Sequence, residues 1–193
     1  MNSVPSEHRR LLAIDPTSKG FGFAVLEGPA KLVDWGVKQA RENRNLACLE
    51  QVRQLLGQFS PDVIVVEDVE VSGSRRCQRV RGLTAKIVAL ASKRRVASQR
   101  ISRRRVLAYF ARTDVLTKHR IATAIAKRFP ELDPRLPPLR KPWMSEDERM
   151  SIFDAVALAL TFFESGRKRA LLNRSLLASP ANAQQEEDQN PGE

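Results

Sequence analysis

Three carboxylates sit where a carboxylate is costly. Asp15 follows the apolar run Leu11 to Ile14, Glu67 follows Val63 to Val66, and Asp154 lies inside the run Ile152 to Leu160. A charge among apolar residues needs a partner or a cation, because burying it unpaired is expensive. Taken alone, Asp15 with Pro16 and Ser18 reads as the ordinary end of a strand and start of a turn. Asp154 alone reads equally well as a satisfied core aspartate. Together the three share one explanation, hard oxygen ligands for Mg2+ or Mn2+. Two such ions, the number expected here, can activate water and stabilise the leaving oxygen of a phosphodiester.

For that chemistry the surrounding elements must bring the three acids together. "RRLLAIDP" reads as a buried strand that breaks at Pro16. "GFGFAVLEG" and "AKLVDWGVKQ" are two further strands, separated by the turn Glu27-Gly28-Pro29, so the chain opens with an antiparallel meander. Leu46, Leu49, Val52, Leu55, Leu56 and Phe59 recur at helical spacing, and Ser60-Pro61 stops that helix. "DVIVVEDV" has the unbroken apolar run of a central parallel strand. A small-residue loop, Val71 to Ser74, leads to a basic helix over Arg75 to Arg94, then a strand in "RVASQRI". Ser102 caps a short helix in "RRRVLAYF", and a second helix, "TKHRIATAIAKRF", closes at Pro130. "DPRLPPLRKPW" is a Pro-rich loop suited to covering a site, and the aromatic Trp143 within it is expected to cover the core. The last helix is expected over Glu146 to Glu164, with Ser145 and Glu148 as a capping box.

This order implies an α/β domain with a mixed five-stranded sheet, an antiparallel meander plus parallel strands, flanked by helices. A right-handed crossover places the fourth strand parallel to the first and beside it. Asp15 and Glu67 then end neighbouring strands about 5 Å apart, where they repel unless a cation lies between them. Ala155, Ala157 and Ala159 let the last helix pack closely on the sheet. One domain is expected over residues 9–165, between an extension at 1–8 and a basic, then acidic tail at 166–193 that is expected to be disordered.

The chain of 193 residues is long enough to bury a core without disulfides, and its 42% hydrophobic content is that of a globular protein. No apolar run is long enough to span a bilayer, residues 1–10 lack a signal-peptide core, and the two cysteines have no metal-ligand spacing. A reduced, cytoplasmic setting is the expectation. The net charge of +11 and pI near 10.5 point to a polyanion, most simply nucleic acid. Twelve Lys or Arg and no acid lie between Arg75 and Arg105, interleaved with an apolar helical pattern, so this charge belongs to a folded surface. Arg75, Arg76, Arg79, Arg103, Arg104 and Lys118 are the expected phosphate contacts.

The segments "AIDPTSKGFGFAV", "FSPDVIVVEDV" and "FDAVALAL" resemble, in order and spacing, the motifs of the RuvC family of Holliday-junction resolvases, over roughly residues 9–165. The resemblance implies a ribonuclease H-like fold and a homodimer that cuts phosphodiesters across a four-way DNA junction using Mg2+. It assigns Asp15, Glu67 and Asp154 to the first, second and last catalytic acids, and Lys118 to a basic position near the scissile phosphate. The sequence departs from the pattern at Thr17, where a Gly usually follows Asp-Pro, and at Ser151, where the family carries another Asp or a His. It departs again at Glu70, where an aromatic is found. Asp147 lies about 10 Å from Asp154 along a helix axis, too far to replace the acid missing at Ser151.

Two other readings stay open. One is a ribonuclease H-like nuclease for structured RNA, similar to the YqgF-type pre-16S rRNA nucleases. The other is a nucleic-acid-binding protein that keeps the fold without catalysis. A dimer is expected through the basic helix, using whatever part of the stripe Val80, Leu83, Ile87 and Leu90 its own domain leaves uncovered. A recombination or branch-migration partner would accompany it, and no membrane.

Overall fold

The first strand, β1 (Arg10–Pro16), is the centre of the architecture. The computed structural model describes residues 9–41, 43–70, 76–111, 117–141 and 143–177. The extension 1–8, the loop Val71 to Ser74, Arg75 and the tail beyond residue 177 lie outside the described residues. β2 (Gly20–Glu27) and β3 (Lys31–Gln39) complete the antiparallel meander, and Gly28, with φ of 68°, makes the turn between them. After helix α1 (Arg44–Phe59), strand β4 (Val63–Glu67) pairs parallel with β1. Helix α2 (Gln78–Lys93) then leads to β5 (Ala97–Ile101), parallel to β4, and the sheet order is β3-β2-β1-β4-β5. The mixed five-stranded sheet expected from the sequence is the one observed.

Strand alternation sends side chains to two cores. Leu12 and Ile14 of β1 and Ile64 and Val66 of β4 pack with α1 and α2. Leu11, Ala13, Val63 and Val65 face the other way, toward α3 (Arg103–Phe110), α4 (Lys118–Arg128) and α5 (Met150–Leu177). By the same period Asp15 and Glu67 fall on the α5 side. The register Ile14 to Val66 sets them level at the ends of adjacent strands.

The first three turns of α5, from Met150 to Thr161, are buried on every side, between the sheet and the helices α3 and α4. Its alanines 155, 157 and 159 are fully buried, as close packing on the sheet requires. Gly22 of β2, the register partner of Asp15, lies against this helix. A Cβ at Gly22 would stand 2.3 Å from the Ser151 carbonyl carbon and 2.4 Å from its oxygen.

Four expectations need correction. Helix α5 starts at Met150, so Ser145 and Glu148 form no capping box. Asp147 instead accepts from the Arg149 amide at 2.9 Å. The helix passes through Gly166 to Leu177, because the "RKRALL" that follows consists of good helix formers. Val80, Leu83, Ile87 and Leu90 of α2 are all buried within their own domain, so that stripe leaves no apolar seam for a second copy. Trp143 does not cover the core. It is 79% exposed, with the Lys141 ammonium 5.6 Å from its ring centroid. Among the described residues no helix is long and apolar enough to cross a membrane.

Candidate active site

Asp15 is held at the end of β1 by the turn that follows it. Thr17 closes that turn, its amide donating to the Gly20 carbonyl at 2.9 Å while its hydroxyl accepts from the Gly20 amide at 3.2 Å. A threonine thus provides by hydrogen bonding the tight turn for which the sequence pattern suggested glycine. Asp15 is 2% exposed and Glu67 half-buried. One nitrogen serves both. Arg76 Nη2 lies 2.7 Å from Asp15 Oδ1 and 2.5 Å from Glu67 Oε2, and Arg76 Nε donates to the same Glu67 oxygen at 2.7 Å.

Asp154 reaches the site from the buried part of α5 and is 8% exposed. Its Oδ1 accepts from Arg103, the first residue of α3, at 3.1 Å. Its Oδ2 accepts from Lys118, the first residue of α4, at 2.8 Å. Ser102 and Thr117 cap these two helices by accepting from Arg105 and Arg120 amides, which fixes where the two basic residues emerge. Lys118 also pairs with Glu146 at 2.8 Å. Burial alone would lower the Lys118 pKa, but Asp154 and Glu146 outweigh it and hold the ammonium charged. Ser151 faces β2 and donates its hydroxyl to the Glu148 carbonyl at 2.5 Å, so its side chain is not part of the acidic group.

The three acids are close enough to act on one another. Burial pushes the Asp15 pKa up to about 7, Arg76 opposes the rise, and Asp154 and Glu67 add to it. The consequence for stability has a definite sign. Between its ordinary 3.8 and about 7, Asp15 keeps a proton in the folded chain that the unfolded chain has released. Stability in metal-free buffer is therefore expected to fall as pH rises through that window. Urea unfolding at pH 4.5 and 7 should show the fall, and Asp15→Asn should flatten it.

The expected phosphate contacts divide. Arg76, Arg103 and Lys118 are engaged by the acids. Arg79 is tied to the Thr17 carbonyl and to Asn45 Oδ1 (2.9 Å), bracing the turn after Asp15. Arg104 is exposed. Sequence reasoning missed the bridge by Arg76 and the clamp on Asp154. It also missed the approach of α5 to Gly22, whose only signal is a glycine opposite Asp15 in the meander.

The donor chemistry suits a hard divalent ion in part. Asp15 and Glu67 present oxygens to a common point that already holds a positive charge, whereas Asp154 is turned to its own two bases. Among the described residues no group of three or more His, Cys, Asp or Glu is arranged to hold a metal. Asp15 and Glu67 are the two carboxylates whose oxygens an ion could share, with the Asp154 carboxyl group beside them.

No family model matches the sequence, and no curated protein matches it. Solved structures do. RuvC of Thermus thermophilus is similar with a TM-score of 0.59 at 19% identity, over 83% of this chain and 96% of that one. The chain has the fold of RuvC. The T. thermophilus RuvC in complex with Holliday junction substrate gives the same TM-score at 18% identity, over 84% and 96%. The yeast mitochondrial Holliday junction resolvase Ydc2 gives 0.54 at 14%, over 86% and 85%. At these identities the likeness is one of fold, and the chemistry rests on the residues of this chain. In the RuvC fold seen here, the α5 face of the two central strands carries Asp15 and Glu67, and the buried helix on that face carries Asp154.

Proposed function

We propose that this chain is a divalent-metal-dependent endonuclease that cuts branched DNA, a four-way junction above all. The observation that carries this reading is the meeting of Asp15, Glu67 and Asp154 on one face of a fold similar to that of RuvC. Asp15 and Glu67, with Asp154 beside them, would hold Mg2+ or Mn2+. When bound, such ions supply an activated water and stabilise the leaving oxygen. Lys118 and Arg103, part-exposed beside Asp154, are the groups offered to a phosphate. T. thermophilus RuvC has been solved with a Holliday junction substrate, and the +11 charge of this chain suits the same kind of polyanion. Exposed Trp143, under Lys141, adds a stacking surface on the loop that leads to Glu146.

Two equivalent strands of a junction call for two equivalent sites, so the working form is a homodimer on DNA. Its seam lies outside the α2 stripe. Both cysteines, buried Cys48 and exposed Cys77, are free, in keeping with a reducing, cytoplasmic compartment.

Binding should be mainly electrostatic. For duplex arms each neutralised phosphate contributes about −0.9 to the slope of log K against log salt. Arg104→Ala should make the slope shallower by roughly one unit. The measurement is a salt titration on a four-way junction, with a structured RNA of equal length alongside. Stronger binding and cutting of the RNA would favour the ribonuclease reading instead. An unchanged slope would place the DNA away from α3.

A further inference from the structure

Each acid in the site already has a cation. Arg76 bridges Asp15 and Glu67 through one nitrogen, at 2.7 and 2.5 Å, while Arg103 and Lys118 take the two oxygens of Asp154 at 3.1 and 2.8 Å. Three bases face these three acids, and Lys118 is shared with Glu146. A divalent ion is attracted by uncompensated carboxylate charge, and this arrangement leaves little of it. Arg76 differs from the other two bases in where it comes from. Arg103 and Lys118 are the first residues of capped helices, whereas Arg76 lies on the segment before α2 and reaches over the ends of β1 and β4. Its Nη1 also donates to the Pro16 carbonyl at 3.3 Å. Its side chain keeps 26% of its surface in solvent, although the carboxylates it binds keep only 3% and 15%. Arg103 and Lys118 keep 33% and 35% of theirs, so all three bases meet the solvent from which a nucleic acid would arrive, but Arg76 is the one that bridges two of the acids. A phosphate offers a guanidinium the same two-oxygen geometry as a carboxylate.

We propose that Arg76 is a resident counter-cation that keeps Asp15 and Glu67 closed to a divalent metal until a nucleic-acid phosphate draws the guanidinium away. The inference rests on the nuclease reading above. It makes Arg76 a positioning residue, and it makes metal and nucleic acid bind cooperatively, each strengthening the other by the same factor.

The test is Mn2+ binding to the full chain without nucleic acid, followed by the electron paramagnetic resonance signal of the free ion. Arg76→Gln is expected to bind Mn2+ about ten-fold tighter than wild type, or more. Asp15→Asn/Arg76→Gln is expected to lose that binding, which locates it. Equal affinity of wild type and Arg76→Gln at an Asp15-dependent site would overturn the role of Arg76 and leave the metal reading standing. Absence of any Asp15-dependent Mn2+ binding would overturn both.

Arg76→Gln exposes two carboxylates to each other, so its fold needs a separate check. Thermal unfolding with and without Mn2+ gives it, and the ion should raise the Tm of this variant more than that of wild type. Arg76→Lys keeps the charge without the planar fork and should bind Mn2+ with intermediate affinity. After subtraction of the ions that DNA itself holds, a saturating four-way junction should tighten Mn2+ binding to wild type by a larger factor than to Arg76→Gln. A junction that tightens both equally would overturn the part assigned to phosphate.

Discussion

Asp154→Asn is expected to slow cleavage of a four-way DNA junction by about 10³-fold or more while leaving junction affinity unchanged or raised. The carboxamide keeps the shape of the carboxylate, so α5, buried on all sides at this point, has no reason to repack. What is lost is one negative charge beside the Asp15–Glu67 pair. What is gained is freedom for Arg103 and Lys118, which now meet a neutral amide and can turn to phosphate. Asp15→Asn should abolish cleavage in the same way, and its buried position favours the neutral side chain. Single-turnover cleavage together with equilibrium binding separates the two effects. Cleavage retained in Asp15→Asn would remove the metal site.

Gly22→Ala is expected to damage both the fold and the site. The new methyl would lie 2.3 Å from the Ser151 carbonyl carbon and 2.4 Å from its oxygen, and neither is the end of a flexible side chain. Either β2 bends or α5 lifts, at a cost of about 1–3 kcal/mol by the usual scale of overpacking. Lifting α5 carries Asp154 with it, one helical turn beyond Ser151. A misplacement of roughly 1 Å at a reacting centre costs about 10²-fold in rate. Ser151→Gly removes the hydroxyl, also 2.4 Å from the new methyl, but should not fully rescue the variant, because the clash with the Ser151 backbone stays. Urea unfolding and cleavage, measured on both the single and the double variant, test this. Full rescue by Ser151→Gly would show that α5 is not held where it is by this contact.

The parts of the fold that follow from local chemistry were legible in the sequence. Pro16 ends β1, the apolar run of β4 marks it as central, and the meander follows from its turns. Strand period then sends Asp15 and Glu67 to the same face, and the apolar surroundings of Asp154 identify its helix as the one packed there. The start of α5 was misread because Ser145 and Glu148 match a capping pattern, while the observed start uses Asp147 and Arg149. The stripe on α2 was legible as apolar but not as fully used, since that depends on how much of it α1 and the sheet cover. Arg76 could not be placed from spacing at all. It joins Asp15 across 61 residues through a long side chain, and nothing local distinguishes it from the eleven other basic residues of its run.

A Mg2+ titration of junction cleavage, starting from protein freed of metal with EDTA, tests the central claim most directly. The expected result is no cleavage without the ion, saturable cleavage as it is added, and paired nicks at symmetry-related positions of the junction. Cleavage that persists in EDTA would contradict it, as would a junction bound tightly yet uncut at every Mg2+ concentration.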